Sequence, residues 1–235
     1  MDSQYYGKLS IIGMRGCEGF VDRVNQYLHQ FREGEDAENF IVTADCPRFG
    51  TGEAKGMLHD SMRGHDVYII SDCFNYGETY TMYGQKVPMS PDDHFADLKR
   101  VIGAIGGKAR RITVIMPFLY ESRQHKRTSR ESLDCAIALQ EMVKMGVDNI
   151  ITFDAHDPNV QNAVPTMAVD NFYPTNDILK EFLKNERTQF TATIIMFSIF
   201  FLLGIGLLFI KEVPLSISCC INFLIIGVGA SLYNN

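Results

Sequence analysis

The sequence predicts an α/β protein, a mostly parallel sheet flanked by helices, with a two-helix hydrophobic hairpin after it. Three observations carry that prediction. Short β-prone runs alternate with amphipathic runs at helical spacing through residues 1–186, the order that βαβ crossovers produce. A hydrophobic content of 46% with 11% aromatics is enough to build a core for a chain of 235 residues. From Phe190 to Ile210 there are 21 consecutive residues without a charge, about the length of a helix that crosses a bilayer.

The elements follow in order. Lys8–Gly13 is a short β-prone run closed by a glycine turn. Glu18–Arg32 places Phe20, Val21, Val24, Tyr27, Leu28 and Phe31 on one helical stripe. Phe40–Thr43 and Asp66–Ile70 read as strands. Asp92 and Asp93 open a helix with Phe95, Leu98, Val101, Ile102 and Ile105 inward; acidic residues suit the positive end of the helix dipole. A strand at Arg111–Met116, a helix at Ser132–Lys144 and a strand at Asn149–Phe153 complete the head. Two spans, 190–210 and 215–232, flank Lys211-Glu212-Val213-Pro214 and form the expected hairpin over 187–235. Lys180, Lys184 and Arg187 precede it, so the positive-inside rule puts the head in the cytoplasm and the tail in the cytoplasmic membrane.

Composition narrows the function classes. A net charge of −6 and a pI near 5.5 argue against a nucleic-acid binder. The six cysteines show no zinc-ligand spacing and read as reduced thiols. The first residues lack the basic-then-apolar layout of a signal peptide. The mean hydropathy of −0.04 is the average of an acidic head and a nearly uncharged tail.

Ligands of parallel sheets bind beyond the carboxyl ends of the strands, so the segments after each strand hold the candidate chemistry. After Met116, positions 123–130 carry Arg123, Lys126, Arg127, Arg130 and His125. Such a loop suits a polyphosphate, because guanidinium and ammonium groups neutralise closely spaced oxygens; taken alone, a charge run of this kind is more often a solvated basic loop. After Phe153 come Asp154, Ala155 and His156. Strand alternation aims Asp154 and His156 at one site and turns Ala155 inward. That pair could hold a divalent cation or position phosphate, with oxygen-preferring Mg²⁺ favouring Asp154. Arg48-Phe49-Gly50-Thr51-Gly52-Glu53 is a glycine-relaxed loop with an aromatic ring and a carboxylate. Gly107-Lys108 is not a P-loop, since Ile102 and Ala109 occupy two of its fixed positions.

In this order the segments resemble the ribose-phosphate pyrophosphokinase family. The strings are Arg48-Phe49 with Gly52-Glu53, Arg63-Gly64 with Asp66-Val67-Tyr68-Ile69-Ile70, Ala109-Arg110-Arg111-Ile112-Thr113, Arg123-Gln124, and Asp154 with His156. The resemblance runs from about Lys8 to Lys184 and implies a phosphoribosyltransferase-like fold for 1–186. It implies transfer of the β,γ-diphosphoryl group of Mg-ATP to the 1-hydroxyl of ribose 5-phosphate, by an oligomer. It further implies that Arg123 and Gln124 contact ATP, that Phe49 and Glu53 meet adenine across a subunit boundary, and that Asp154, His156 and Asp170 lie at the Mg²⁺.

The chain also departs from the family pattern. Thr51 stands where an Asp or Asn commonly precedes the Gly-Glu pair, and His125 where Asp usually follows Arg-Gln. Asn162-Ala163-Val164-Pro165 replaces a Gly-Phe-Phe ending. Nothing in 185–235 resembles the family's second domain, with its mobile Lys/Arg loop and its acidic loop for ribose 5-phosphate. Three readings stay open: an enzyme completed by another polypeptide, a membrane-tethered nucleotide-binding or regulatory subunit, and an inactive truncated product.

Overall fold

A computed structural model describes residues 7–31, 39–185, 191, 194–196 and 198. Two compact units divide the chain, Met1–Tyr173 and Pro174–Asn235.

The first unit runs β1 (Leu9–Gly13), α1 (Glu18–Phe31), β2 (Ala44–Asp45), β3 (Met57–Leu58), β4 (Asp66–Ile70), β5 (Thr79–Met82) and β6 (Gln85–Pro88). It continues through α2 (Pro91–Ile105), β7 (Arg111–Met116), α3 (Asp134–Lys144), β8 (Asn149–Phe153), a 3-10 helix (Pro158–Ala163) and β9 (Ala168–Phe172). Five strands form one sheet in the order β1-β4-β7-β8-β9, and every neighbouring pair is parallel. All five carboxyl ends therefore face the same way, which gathers the following loops along one edge.

The strands are apolar on both faces because helices cover both. Ile12, Val67, Ile69, Val114 and Ile150 share one core with Phe95, Leu98, Val101 and Ile102 of α2 and Leu139 and Met142 of α3. Ile11 and Ile70, one residue out of phase, pack with Val21 of α1 and with Phe40 on the other face. The inward side chains expected on α2 are all buried. Its start is fixed chemically: Ser90 accepts from the Asp93 N–H while the Asp93 carboxylate accepts from the Ser90 N–H, and Pro91 occupies the first turn. Gly106 ends it in the left-handed region at φ 63°.

Several elements differ from expectation, among them β9 and the 3-10 helix, which occupy stretches with no predicted element. Phe40–Thr43 adds no strand to the sheet; Ile41 makes one isolated bridge to Ile11, and the chain then turns so that β2 pairs antiparallel with β3. The helix predicted from Ser132 begins at Asp134, because the Ser132 carbonyl accepts from Gln124 Nε2 and is held within the preceding loop. A hairpin, β5–β6, occupies a stretch with no predicted element.

In the second unit residues 175–185 are helical and carry the pairs Lys180–Asp177 and Lys184–Glu181. The expected transmembrane hairpin is corrected here. Among the described residues no helix is long and apolar enough to cross a membrane, which takes about 20 apolar residues, and the spans 190–210 and 215–232 lie almost wholly outside the described residues. The membrane partner, the membrane localisation and the unrelated hydrophobic tail that rested on that hairpin are withdrawn with it.

Candidate functional site

β7 and β8 are neighbours with Met116 opposite Thr152, so the segments that leave their carboxyl ends emerge side by side. The one after β7 is the cationic loop; the one after β8 is the Asp154-Ala155-His156-Asp157 turn. Backbone geometry marks both departures: Glu121 and Asp154 are non-glycine residues in the left-handed region, at φ 56° and 48°. The Asp154 N–H donates to the Phe172 carbonyl (2.9 Å) and the Ala155 N–H to Asn171 Oδ1 (3.0 Å), so β9 clamps the turn. Ala155 is buried, while Asp154 and His156 are exposed.

His125 joins the two segments. Its ring meets His156 edge-on, with centroids 5.2 Å apart. Its Nε2 lies 3.2 Å from Asp157 Oδ2 and its Nδ1 3.2 Å from the Ser122 carbonyl. Both partners are acceptors, so the ring bridges the two segments through its two nitrogens. A hydrogen bond from the Asn159 N–H, helped by the Asn159 side chain, His125 and Lys126, holds the Asp157 carboxyl below the usual range. Burial acts oppositely on Glu121, whose carboxyl is pushed up with help from Asp134 and Asp92.

Within the loop, Gln124 Nε2 donates to the carbonyls of Ser132 (2.8 Å) and Lys126 (3.4 Å), and the Cys135 N–H donates to the Gln124 carbonyl. Gln124 is thus a brace that joins the two ends of the loop. Glu131 gathers Thr128 and Ser129. Arg123, Lys126, Arg127 and Arg130 stay exposed. The result is a cationic rim held over a turn that carries one carboxylate and one imidazole, an arrangement that can bind an anionic group and its counter-ion.

Phe49 and Glu53 belong to a different set of elements. The Phe49 N–H donates to the Glu53 carbonyl (2.7 Å) and the Gly52 N–H to the Phe49 carbonyl (2.9 Å), forming a tight turn. Phe49 is 55% exposed, and the Glu53 carboxylate accepts from Thr51 Oγ1. Below it, Arg48 reaches Asp97 of α2 (2.8 Å), which also binds Arg100 (2.6 Å), and the Arg48 guanidinium lies 4.5 Å from the Tyr80 ring centroid. Burial pushes the Asp97 carboxyl up, against the pull of Arg48 and Arg100.

The structure does not bring Asp170 to Asp154 and His156. Its carboxylate accepts from Asn149 Nδ2 (2.8 Å) at the amino end of β8. Among the described residues no group of three or more His, Cys, Asp or Glu side chains is arranged as a metal cage. Sequence reasoning left three participants unplaced. His125 stands out in the sequence as a member of the cationic loop and as a departure from the family pattern, with no partner assigned; Asp97 and the hairpin do not stand out at all. The alternation in Thr79-Tyr80-Thr81-Met82 before Tyr83-Gly84 was the signal available for the last.

Comparison with known proteins agrees with this architecture. A profile of the N-terminal domain of ribose phosphate pyrophosphokinase matches residues 9–146. Ribose-phosphate pyrophosphokinase B of Dictyostelium discoideum is 28% identical over 152 residues, 64% of this chain and 42% of that protein. Ribose-phosphate pyrophosphokinase 1 of Schizosaccharomyces pombe is 31% identical over 140 residues, 59% of this chain and 31% of the relative. The putative ribose-phosphate pyrophosphokinase 2 of Streptococcus pneumoniae serotype 4 is 30% identical over 162 residues, 65% and 46%. The crystal structure of phosphoribosylpyrophosphate synthetase from Mycobacterium smegmatis superposes with a TM-score of 0.60 at 20% identity, over 76% of this chain and 52% of that one. That likeness shows the fold, and the chain spans less than half the length of these curated relatives. With the profile covering more than half of the sequence, the chain belongs to the family of the N-terminal domain of ribose phosphate pyrophosphokinase.

Proposed function

We propose that the first unit binds ATP by its polyphosphate between the cationic loop and the Asp154–Asp157 turn. It would serve as the nucleotide half of a ribose-phosphate diphosphokinase. The observation that carries this reading is His125, whose contacts with His156 and Asp157 fasten a loop of exposed cations to the end of β8. Phosphoryl transfer needs positioning and charge neutralisation more than covalent help from the protein.

In this reading Arg123 pairs with phosphate oxygens and Gln124 keeps the loop in shape. Phe49 stacks on adenine and Glu53 accepts from its amino group, in a second copy of the chain. Mg²⁺ ordinarily takes one or two carboxylates and completes its shell with substrate phosphates and water. Asp154, beside His156, fits that role at the phosphate edge, and Asp170, committed to Asn149, does not. When bound, Mg²⁺ supplies charge neutralisation at the β- and γ-phosphates. The 1-hydroxyl of ribose 5-phosphate attacks the β-phosphorus and loses its proton, and the α,β-bridging oxygen leaves with AMP. The acceptor sugar would be held by a second domain, which the matched N-terminal domain does not include.

Titration of the full chain with Mg-ATP in a calorimeter tests the reading. Arg123→Ala is expected to weaken binding at least about tenfold, since a charge-assisted contact contributes on the order of 1.5–3 kcal/mol. Equal affinity in wild type and Arg123→Ala would refute it.

A further inference from the structure

The turn between β5 and β6 contains a residue that its backbone disfavours. Met82 pairs with Gln85, leaving the two-residue loop Tyr83-Gly84. Both residues have positive φ, 48° and 78°, the type I′ pattern that Asn, Asp and Gly adopt most easily. Gly84 meets that demand; Tyr83, with a bulky side chain, does not. Burial does not compensate, because Tyr83 is 76% exposed. A strained aromatic ring presented to solvent at a hairpin tip points to a role for the ring itself.

The surroundings suggest which role. The Tyr83 N–H donates to the Gly50 carbonyl at 2.8 Å, tying the tip to the turn that carries Phe49. The rest of the hairpin sits on the same turn. Arg48 lies over Tyr80 at 4.5 Å, and a Cβ added at Gly52 would come within 2.9 Å of Met82 Sδ. Gly52 is itself at φ 92°, so its lack of a side chain serves both the turn and the close approach. Phe49, adjacent to Gly50, is 55% exposed. Two exposed rings thus stand on turns joined by a backbone hydrogen bond, with the Glu53 carboxylate on one of them. Planar bases stack on aromatic faces, and a carboxylate accepts from an exocyclic amine.

We propose that Tyr83 is a second aromatic wall of the nucleobase site beside Phe49, so that the hairpin helps select an amino-bearing purine. The inference rests on the nucleotide reading above and extends it to a residue of the hairpin.

The test compares ATP with inorganic tripolyphosphate, each with Mg²⁺, on the full chain. Tyr83→Ala is expected to weaken ATP about tenfold and to leave tripolyphosphate binding unchanged, while Tyr83→Phe binds ATP as the wild type does. Tyr83→Asn, which suits the turn, is expected to raise Tm and still weaken ATP, a combination that a merely structural residue would not give. It also decides the matter should Tyr83→Ala fold poorly. If Tyr83→Ala and Tyr83→Asn bind ATP like wild type while Arg123→Ala does not, this inference falls and the nucleotide reading stands. If wild type binds tripolyphosphate as tightly as ATP, the base site is overturned. If wild type binds neither, both readings fall.

Discussion

Asp97→Ala is the perturbation whose cost the structure fixes most directly. Asp97 lies on α2 with its side chain 4% exposed, between Arg48 (7% exposed) and Arg100 (30%). Removing the carboxylate strands Arg48, whose Nε already has no partner, as a buried charge held only by Tyr80 and the Gly52 carbonyl. Arg100 can turn to solvent; Arg48 cannot. Breaking a buried pair on one side costs about 3–5 kcal/mol, which for a domain of this size lowers Tm by about 6–20 °C. The intact cluster contributes far less, because burial works against the Asp97 charge while the two arginines support it. The double variant Arg48→Leu/Asp97→Leu is therefore expected within about 2 kcal/mol of wild type, as apolar replacements of buried pairs commonly are. Urea unfolding of the full chain, followed by far-ultraviolet circular dichroism, measures both. A loss under about 1 kcal/mol for Asp97→Ala, or a double variant as unstable as the single, would refute the reasoning.

Two further expectations follow from local chemistry. Burial pushes the thiols of Cys17, Cys46 and Cys135 up to about 11 and that of Cys73 up to about 12, from the ordinary 9.0. The native state then keeps protons that the unfolded chain releases. The contribution is whole below the ordinary value and is lost as pH rises through the native ones, by on the order of 1 kcal/mol per thiol per pH unit. Urea midpoints in buffers on either side of the ordinary thiol value check the sign; a midpoint that holds or rises on the alkaline side contradicts it. Ser90→Ala removes the acceptor for the Asp93 N–H and half of the capping box, with an expected loss of about 1 kcal/mol. Ser90→Asp should recover most of that in the same unfolding assay; no difference between the two variants would deny the cap its role.

Much of the fold was legible in the sequence because the strands are continuous apolar runs and the helices keep a 3.6-residue stripe. Val67-Tyr68-Ile69-Ile70 and Phe95-Leu98-Val101-Ile102 identify themselves by pattern, and all of these except Tyr68 are buried. Phe40–Thr43 shows the limit of pattern: β-branched residues make a strand only where a neighbour offers a ladder, and here β1 offers one bridge. The hydrophobic run after Phe190 suggests a membrane span by apolar length alone; it lies almost wholly outside the described residues, among which no helix meets the requirement.

The candidate site divides in the same way. Residue type and order, local properties of the chain, determined by themselves the α/β class, the cationic loop, the Asp154–His156 pair and the family resemblance. Tertiary structure decided which of those residues meet. The parallel pairing of β7 with β8 brought His125 to His156 and Asp157, because neighbouring strands share an edge however far apart their loops lie in sequence. The register of β8 with β9 set Asp170 opposite Ile151, where its carboxylate took Asn149. The seating of the hairpin placed Tyr83 against Gly50, 33 positions earlier in the chain. Contacts at such separations depend on strand pairing, register and packing, which no local window of sequence contains.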